Sequence, residues 1–140
     1  MAYALPHDHY MDFVAHQLAA YGIEPGRCWT ETPDGLQLDA VFLDWPAGTV
    51  NAEHWPHDVA LAWDQNRGWM LIEQGGGRTV WPLSEDSGTY THPRQIAADT
   101  MTRLYRGMDD YYSPGPVTIA GPRWDGQAVH EAVTAWEAAE

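Results

Sequence analysis

Residues 57–83 alternate large apolar with small or polar positions around two turn signals, a pattern that predicts three short antiparallel strands. Val59, Leu61 and Trp63 alternate with Ala60 and Ala62, and Asp64-Gln65-Asn66-Arg67-Gly68 then supplies turn chemistry in which glycine takes a positive φ. A five-residue hairpin loop there sets Trp63 opposite Trp69 and Leu61 opposite Leu71. Counting outward from the three glycines at 75–77 pairs Gln74 with Arg78, Ile72 with Val80 and Leu71 with Trp81. The two counts agree. Both place Leu61, Trp63, Trp69, Leu71, Trp81 and Leu83 on one side, and Ala60, Ala62, Met70, Ile72 and Val80 on the other. A slip of one residue would invert every assignment.

The flanking segments complete the element order. Tyr10, Phe13, Val14, Gln17, Leu18 and Tyr21 approximate a helical stripe over residues 8–21, with Asp8 placed to cap its start and Gly22 to end it. Residues 27–32 and 36–44 read as strands joined at Thr32-Pro33-Asp34-Gly35. In the second, Leu36, Leu38, Ala40 and Phe42 form a wholly apolar face, an antiparallel pattern. Residues 45–57 hold two Trp-Pro pairs and no periodicity, so a long loop is expected. A further loop at 84–90 leads to a helix that Pro93 opens, with Ala97, Met101, Leu104, Tyr105 and Met108 as its buried stripe and an end between Gly107 and Asp110.

Residues 111–124 are an irregular, proline-rich connector whose Val117-Thr118-Ile119-Ala120 run could add one short strand. Asp125 then caps a final helix with Val129, Ala132, Val133 and Trp136 at helical spacing. Strands running consecutively between helices, without βαβ alternation, predict an α+β fold. Its two layers are an antiparallel, meander-like sheet of about five strands and helices packed mainly on one face, plus a C-terminal helix. Residues 1–110 form the core domain; residues 111–140 are a connector and a helix that packs on the core or on a partner.

Composition narrows the classes of function. A chain of 140 residues is one domain and buries roughly two-thirds of its unfolded surface. Twenty acids against seven arginines, with no lysine, give a formal charge of −13. The acids are scattered, as on a solubilising surface, and the arginines are too sparse for direct nucleic-acid binding. Cys28 is single, which rules out an intrachain disulfide and a cysteine zinc cluster and fits the cytoplasm; as part of a strand it is expected to be a buried, inert thiol. No basic leader or long apolar run points to secretion or a membrane.

The stretch Asp58-Val59-Ala60-Leu61-Ala62-Trp63-Asp64, followed by Arg67-Gly68-Trp69, resembles a family of small uncharacterised actinobacterial proteins, domain of unknown function 6292. The resemblance extends over roughly residues 8–107 and includes the Leu18-Ala19-Ala20-Tyr21-Gly22-Ile23 helix end and the His92-Pro93-Arg94-Gln95-Ile96-Ala97 helix start. It implies a small soluble protein and brings no catalytic residue with it. The loop at 45–57 and the tail at 111–140 depart from the family pattern.

No cofactor loop or catalytic signature stands out, and an enzymatic role is not favoured. Gly75-Gly76-Gly77 lacks the Lys-Ser/Thr of a phosphate loop and leads into a strand. The serines lack a nucleophile elbow. His7-Asp8-His9 and His54-x-x-His57-Asp58 bring imidazoles near carboxylates, but neither has the helical spacing that aims two rings at one metal ion, so no metal or cofactor is assigned. Trp63, Trp69 and Trp81 are expected as core beneath the helices, with an open aromatic pocket as the alternative. Trp45 and Trp55, beside prolines, are expected to be half-exposed.

These features place a ligand or partner site in the loop 45–57 and beside it: Trp45, His54, Trp55, His57, Asp58, Trp63 and Asp64. The function expected is an accessory or regulatory one exercised by binding another protein, with a homodimer through the terminal helix or a sheet edge. Two alternatives make different demands. A small-molecule binder or enzyme needs a pocket bounded by Trp55, Trp63 and His57. An acidic DNA mimic or immunity-type inhibitor needs Asp39, Asp44, Asp58 and Asp64 clustered on one face.

Overall fold

The computed structural model describes residues 5–32, 37–75, 79–84, 88–108 and 126–138. Its elements are α1 (Asp8–Ala20), β1 (Arg27–Glu31), β2 (Asp39–Leu43), β3 (Val59–Asp64), β4 (Gly68–Glu73), β5 (Val80–Pro82), α2 (Pro93–Arg106) and α3 (Gly126–Ala138). The five strands form one antiparallel sheet in the order β1-β2-β3-β4-β5, a meander in which each strand pairs with its sequence neighbour. This is the expected α+β architecture. The Pro33–Leu36 stretch, the Val117–Ala120 run and the Asp125 cap lie outside the described residues.

Both turn counts hold in the register of the described residues; Arg78, and with it the Gln74–Arg78 pair, lies outside them. Trp63 faces Trp69, Leu61 faces Leu71, Leu71 faces Trp81 and Ile72 faces Val80. Asp64 fixes the first turn, because its Oδ1 accepts from the Asn66 and Arg67 amides at 2.9 and 2.6 Å while Oδ2 accepts from Arg67 Nε at 2.6 Å. Both carboxylate oxygens are therefore used in closing the hairpin.

One face of the sheet carries the core. Phe42, Leu61, Trp63, Trp69 and Leu71 pack with Tyr10, Val14 and Leu18 of α1, Ile96, Ala97 and Leu104 of α2, and Val133 of α3. Polar anchors within this layer are paired: Trp63 Nε1 donates to Thr89 O at 2.8 Å, and the Tyr10 hydroxyl donates to Thr91 O while accepting from Trp69 Nε1. Burial of its hydroxyl raises the Tyr10 pKa.

Several side chains depart from the positions that hydrophobicity predicts. In α1, Met11 is buried and Phe13 is 43% exposed, and the helix starts on His7 without a side-chain cap. Asp8 instead accepts from the Leu5 amide and the Thr30 hydroxyl. In α2 the buried face is Ile96, Ala97, Thr100, Arg103 and Leu104, whereas Met101 and Tyr105 are exposed. The polar members of that face have partners inside: Thr100 Oγ1 donates to Ile96 O and Arg103 Nε to Leu83 O. Trp81 keeps the expected register but is 39% exposed, because its strand is the edge of the sheet. Cys28 is exposed on the opposite edge strand, a correction to the buried thiol expected there, and partial burial with Asp12 and Glu24 nearby holds its thiol above the ordinary pKa.

Candidate functional site

The segment between β2 and β3 is a built structure that spans from the sheet to the end of α2. The carbonyls of the last helical turn lie at the helix end, where the loop reaches them: Arg103 O already accepts from the Gly107 amide at 2.8 Å, and the loop adds further donors. The Asn51 amide donates to Leu104 O at 2.9 Å, and the Trp55 indole donates to Arg103 O at 2.9 Å. Within the loop, the His54 and Trp55 amides both return to Asn51 O, and Asn51 Oδ1 accepts from the Glu53 amide. At the sheet end, Trp45 Nε1 donates to Val59 O at 2.8 Å and Asp58 O accepts from the Gln74 amide at 3.0 Å.

The two residues that bound the loop have left-handed backbones, Asp44 at φ 61° and Asp58 at φ 77°. Aspartate tolerates this region because its short side chain bonds locally. Asp58 Oδ1 accepts from the Val59 amide at 2.8 Å, and Asp44 holds Arg27 in an exposed ion pair.

Between these pins the loop encloses a shallow hollow of about 280 Å³ lined by Trp45, Ala47, Val50, Ala52, Trp55 and Asp58, among others. Of the residues singled out by sequence, Trp45, Trp55 and Asp58 therefore meet. His54 and His57 are exposed and diverge. His54 lies on Gly107, where an added Cβ would come within 2.7 Å of the ring, and His57 lies on Gly75, where the distance would be 2.8 Å. Each histidine thus uses a glycine of positive φ to approach the α2 end or the β4–β5 turn.

Trp63 and Asp64 sit at the far end of β3, the first in the core and the second closing the hairpin, and take no part in the hollow. Trp55 is 3% exposed, a correction to the half-exposed position expected for it, because its indole N–H must reach a buried helix carbonyl. Trp45 is half-buried.

A second hollow of about 380 Å³ lies on the other side of Gly48, lined by Ile23, Thr49, Met101, Thr102, Tyr105 and Arg106. Tyr105 is 59% exposed, and the Arg106 guanidinium stands 5.9 Å from its ring centroid. Sequence reading missed this half of the surface because Met101 and Tyr105 fall on the apolar stripe of α2. Only the phase of the helix against the sheet turns them outward.

The geometry also bears on the pocket and the carboxylate cluster that the alternatives need. Trp55 and Trp63 are both buried and bond backbone carbonyls of different segments, and they do not frame a common opening. Asp39 lies opposite Asp64 at one end of the β2–β3 pair, whereas Asp44 and Asp58 flank the other end. The four carboxylates thus form two separated pairs. Among the described residues, no three His, Cys, Asp or Glu side chains converge as metal ligands, and no helix is long and apolar enough to cross a membrane.

Comparison with protein-family models, with curated proteins and with solved structures found no match.

Proposed function

We propose that the protein binds another protein through the surface formed by the loop 45–57 and the last two turns of α2, with no catalytic step of its own. The observation that carries this reading is the grouping of exposed Met101 and Tyr105 with Arg106 around one hollow, directly beside the Trp45 loop. Methionine, tyrosine and arginine are enriched where interfaces concentrate their energy, since each offers a large contact area together with adaptability or a polar tip. The loop beneath them is pinned at both ends, so the partner would meet a largely preformed surface. The partner's contribution is an apolar anchor side chain that fills the Met101–Tyr105 hollow. Membership of the domain of unknown function 6292 family belongs to the same proposal, and the loop would then be this chain's own addition to the family pattern.

A photo-crosslinking residue at position 105, used in the native host, tests the reading. The expected result is one discrete adduct with a heterologous protein, lost when Met101→Glu is added and absent when the crosslinker stands at exposed Glu131 on α3. No adduct at position 105, or the same adduct from both positions, would sink it.

A further inference from the structure

The two edges of the sheet differ in a way that matters for association. β5 is three residues long and ends in Pro82, which has no amide hydrogen to offer, so that edge is blunted. β1 runs five residues as Arg27-Cys28-Trp29-Thr30-Glu31 with no proline. Four of its five residues are exposed. Among the described residues its only strand partner is β2, and none of them bonds the backbone on its other side, the side on which a matching chain could pair.

The strand is also complementary to itself. Antiparallel pairing of two copies about Trp29 would set Arg27 opposite Glu31 of the second copy and Glu31 opposite its Arg27, with Cys28 against Thr30 twice and Trp29 against Trp29. The Arg27 bonds to Asp44 use Nε and Nη2, which leaves Nη1 for a second carboxylate. Trp29, 41% exposed, would stack on its own copy across the axis. An open groove of about 230 Å³ runs beside this edge between α1 and β1, with Met11, Ala15, Cys28, Trp29 and Phe42 as apolar lining and Asp8, Asp12 and Thr30 as polar lining, and pairing would shield the apolar part from water.

We propose that β1 is the interface of a homodimer, in which two copies join antiparallel about Trp29 to make one continuous ten-stranded sheet with a two-fold axis perpendicular to it. This surface is separate from the loop face, and either can exist without the other.

Sedimentation equilibrium of the full chain at high micromolar concentration is expected to give twice the 15.7 kDa chain mass. Glu31→Arg creates two like-charged pairs across the axis while leaving the Arg27–Asp44 pair in place, and is expected to give a folded monomer by circular dichroism. Arg27→Glu is expected to do the same. Mixing the two variants restores opposite charges at both positions and should return the dimer mass. Register is read by cysteine placement in a Cys28→Ser background. Trp29→Cys brings two Cα atoms to about 4.5–5.5 Å, within disulfide reach, and should crosslink on oxidation. Arg27→Cys, roughly 13 Å from its copy, should not. A wild-type monomer overturns the proposal, as does a dimer indifferent to Glu31→Arg or one that crosslinks as well through position 27 as through position 29.

Discussion

His7 shows how much a single buried side chain can hide from a sequence reading. It is fully buried, stacks on Trp63 with ring centroids 5.3 Å apart, and shares Nε2 with Asp39 O at 2.8 Å. A carbonyl can only accept, so Nε2 carries the hydrogen and Nδ1 is the bare nitrogen; that Nδ1 has no hydrogen-bond partner. Protonation would place charge on an atom with nothing to receive its hydrogen. Burial accordingly lowers the His7 pKa below the ordinary 6.5, against the raising effects of the Asp39 hydrogen bond and the Asp8 and Asp39 charges. In the window between the two values the unfolded chain binds more protons than the folded one. The stabilising contribution is therefore complete above pH 6.5 and is lost as pH falls through 6.5 toward the lowered folded value. Urea midpoints measured from neutral pH downward should fall more steeply for the wild type than for His7→Gln, which keeps a donor for the Asp39 carbonyl. Equal slopes would show that His7 is not responsible. In the sequence this residue is one member of the His7-Asp8-His9 cluster, and nothing local reveals that Trp63 and Asp39 enclose it.

At the scale of elements, α2 separates what periodicity can and cannot supply. Its position, its Pro93 start and its Gly107 end follow from local chemistry: His92 Nδ1 accepts from the Arg94 amide, proline occupies the first turn, and Gly107 has φ 72°. The buried face does not follow in the same way. Leu104 is fully buried and Met101, on the same predicted stripe, is 37% exposed. Leu104→Ala should cost about 2–5 kcal/mol of stability in chemical denaturation, and Met101→Ala no more than about 0.5 kcal/mol. Comparable losses would mean that the helix is rotated from the phase described. The central hairpin was far more legible, because two turns of fixed length determine one register between them. The candidate site was legible only in part. Tryptophans and an aspartate in an aperiodic, proline-bearing loop marked its location, but Trp55 proved to be a pin on α2, and Met101, Tyr105 and Arg106 came from an element read as core.

For the whole molecule, charge is the dominant long-range term. A formal net charge of −13 makes the compact state repel itself, and the described ion pairs, Arg27–Asp44 and Arg67–Asp64, neutralise little of it. Raising ionic strength from about 0.01 to 0.15 M shortens the screening length from about 30 to 8 Å. The urea midpoint should therefore rise with sodium chloride over that range at fixed protein concentration, and a flat or falling midpoint would contradict this account. Taken alone, the sequence determined the strand order, the register of the β3–β5 meander, the three helices and the acidic surface, because each is set by local periodicity, turn chemistry or simple counting. Tertiary structure alone decided which side of α2 is wet, that His7 and Trp55 are buried, that His54 and His57 rest on glycines, and that β1 and β5 are the edges of the described sheet. Those outcomes depend on which backbone carbonyls and which surfaces distant segments bring within reach, and no local pattern encodes that.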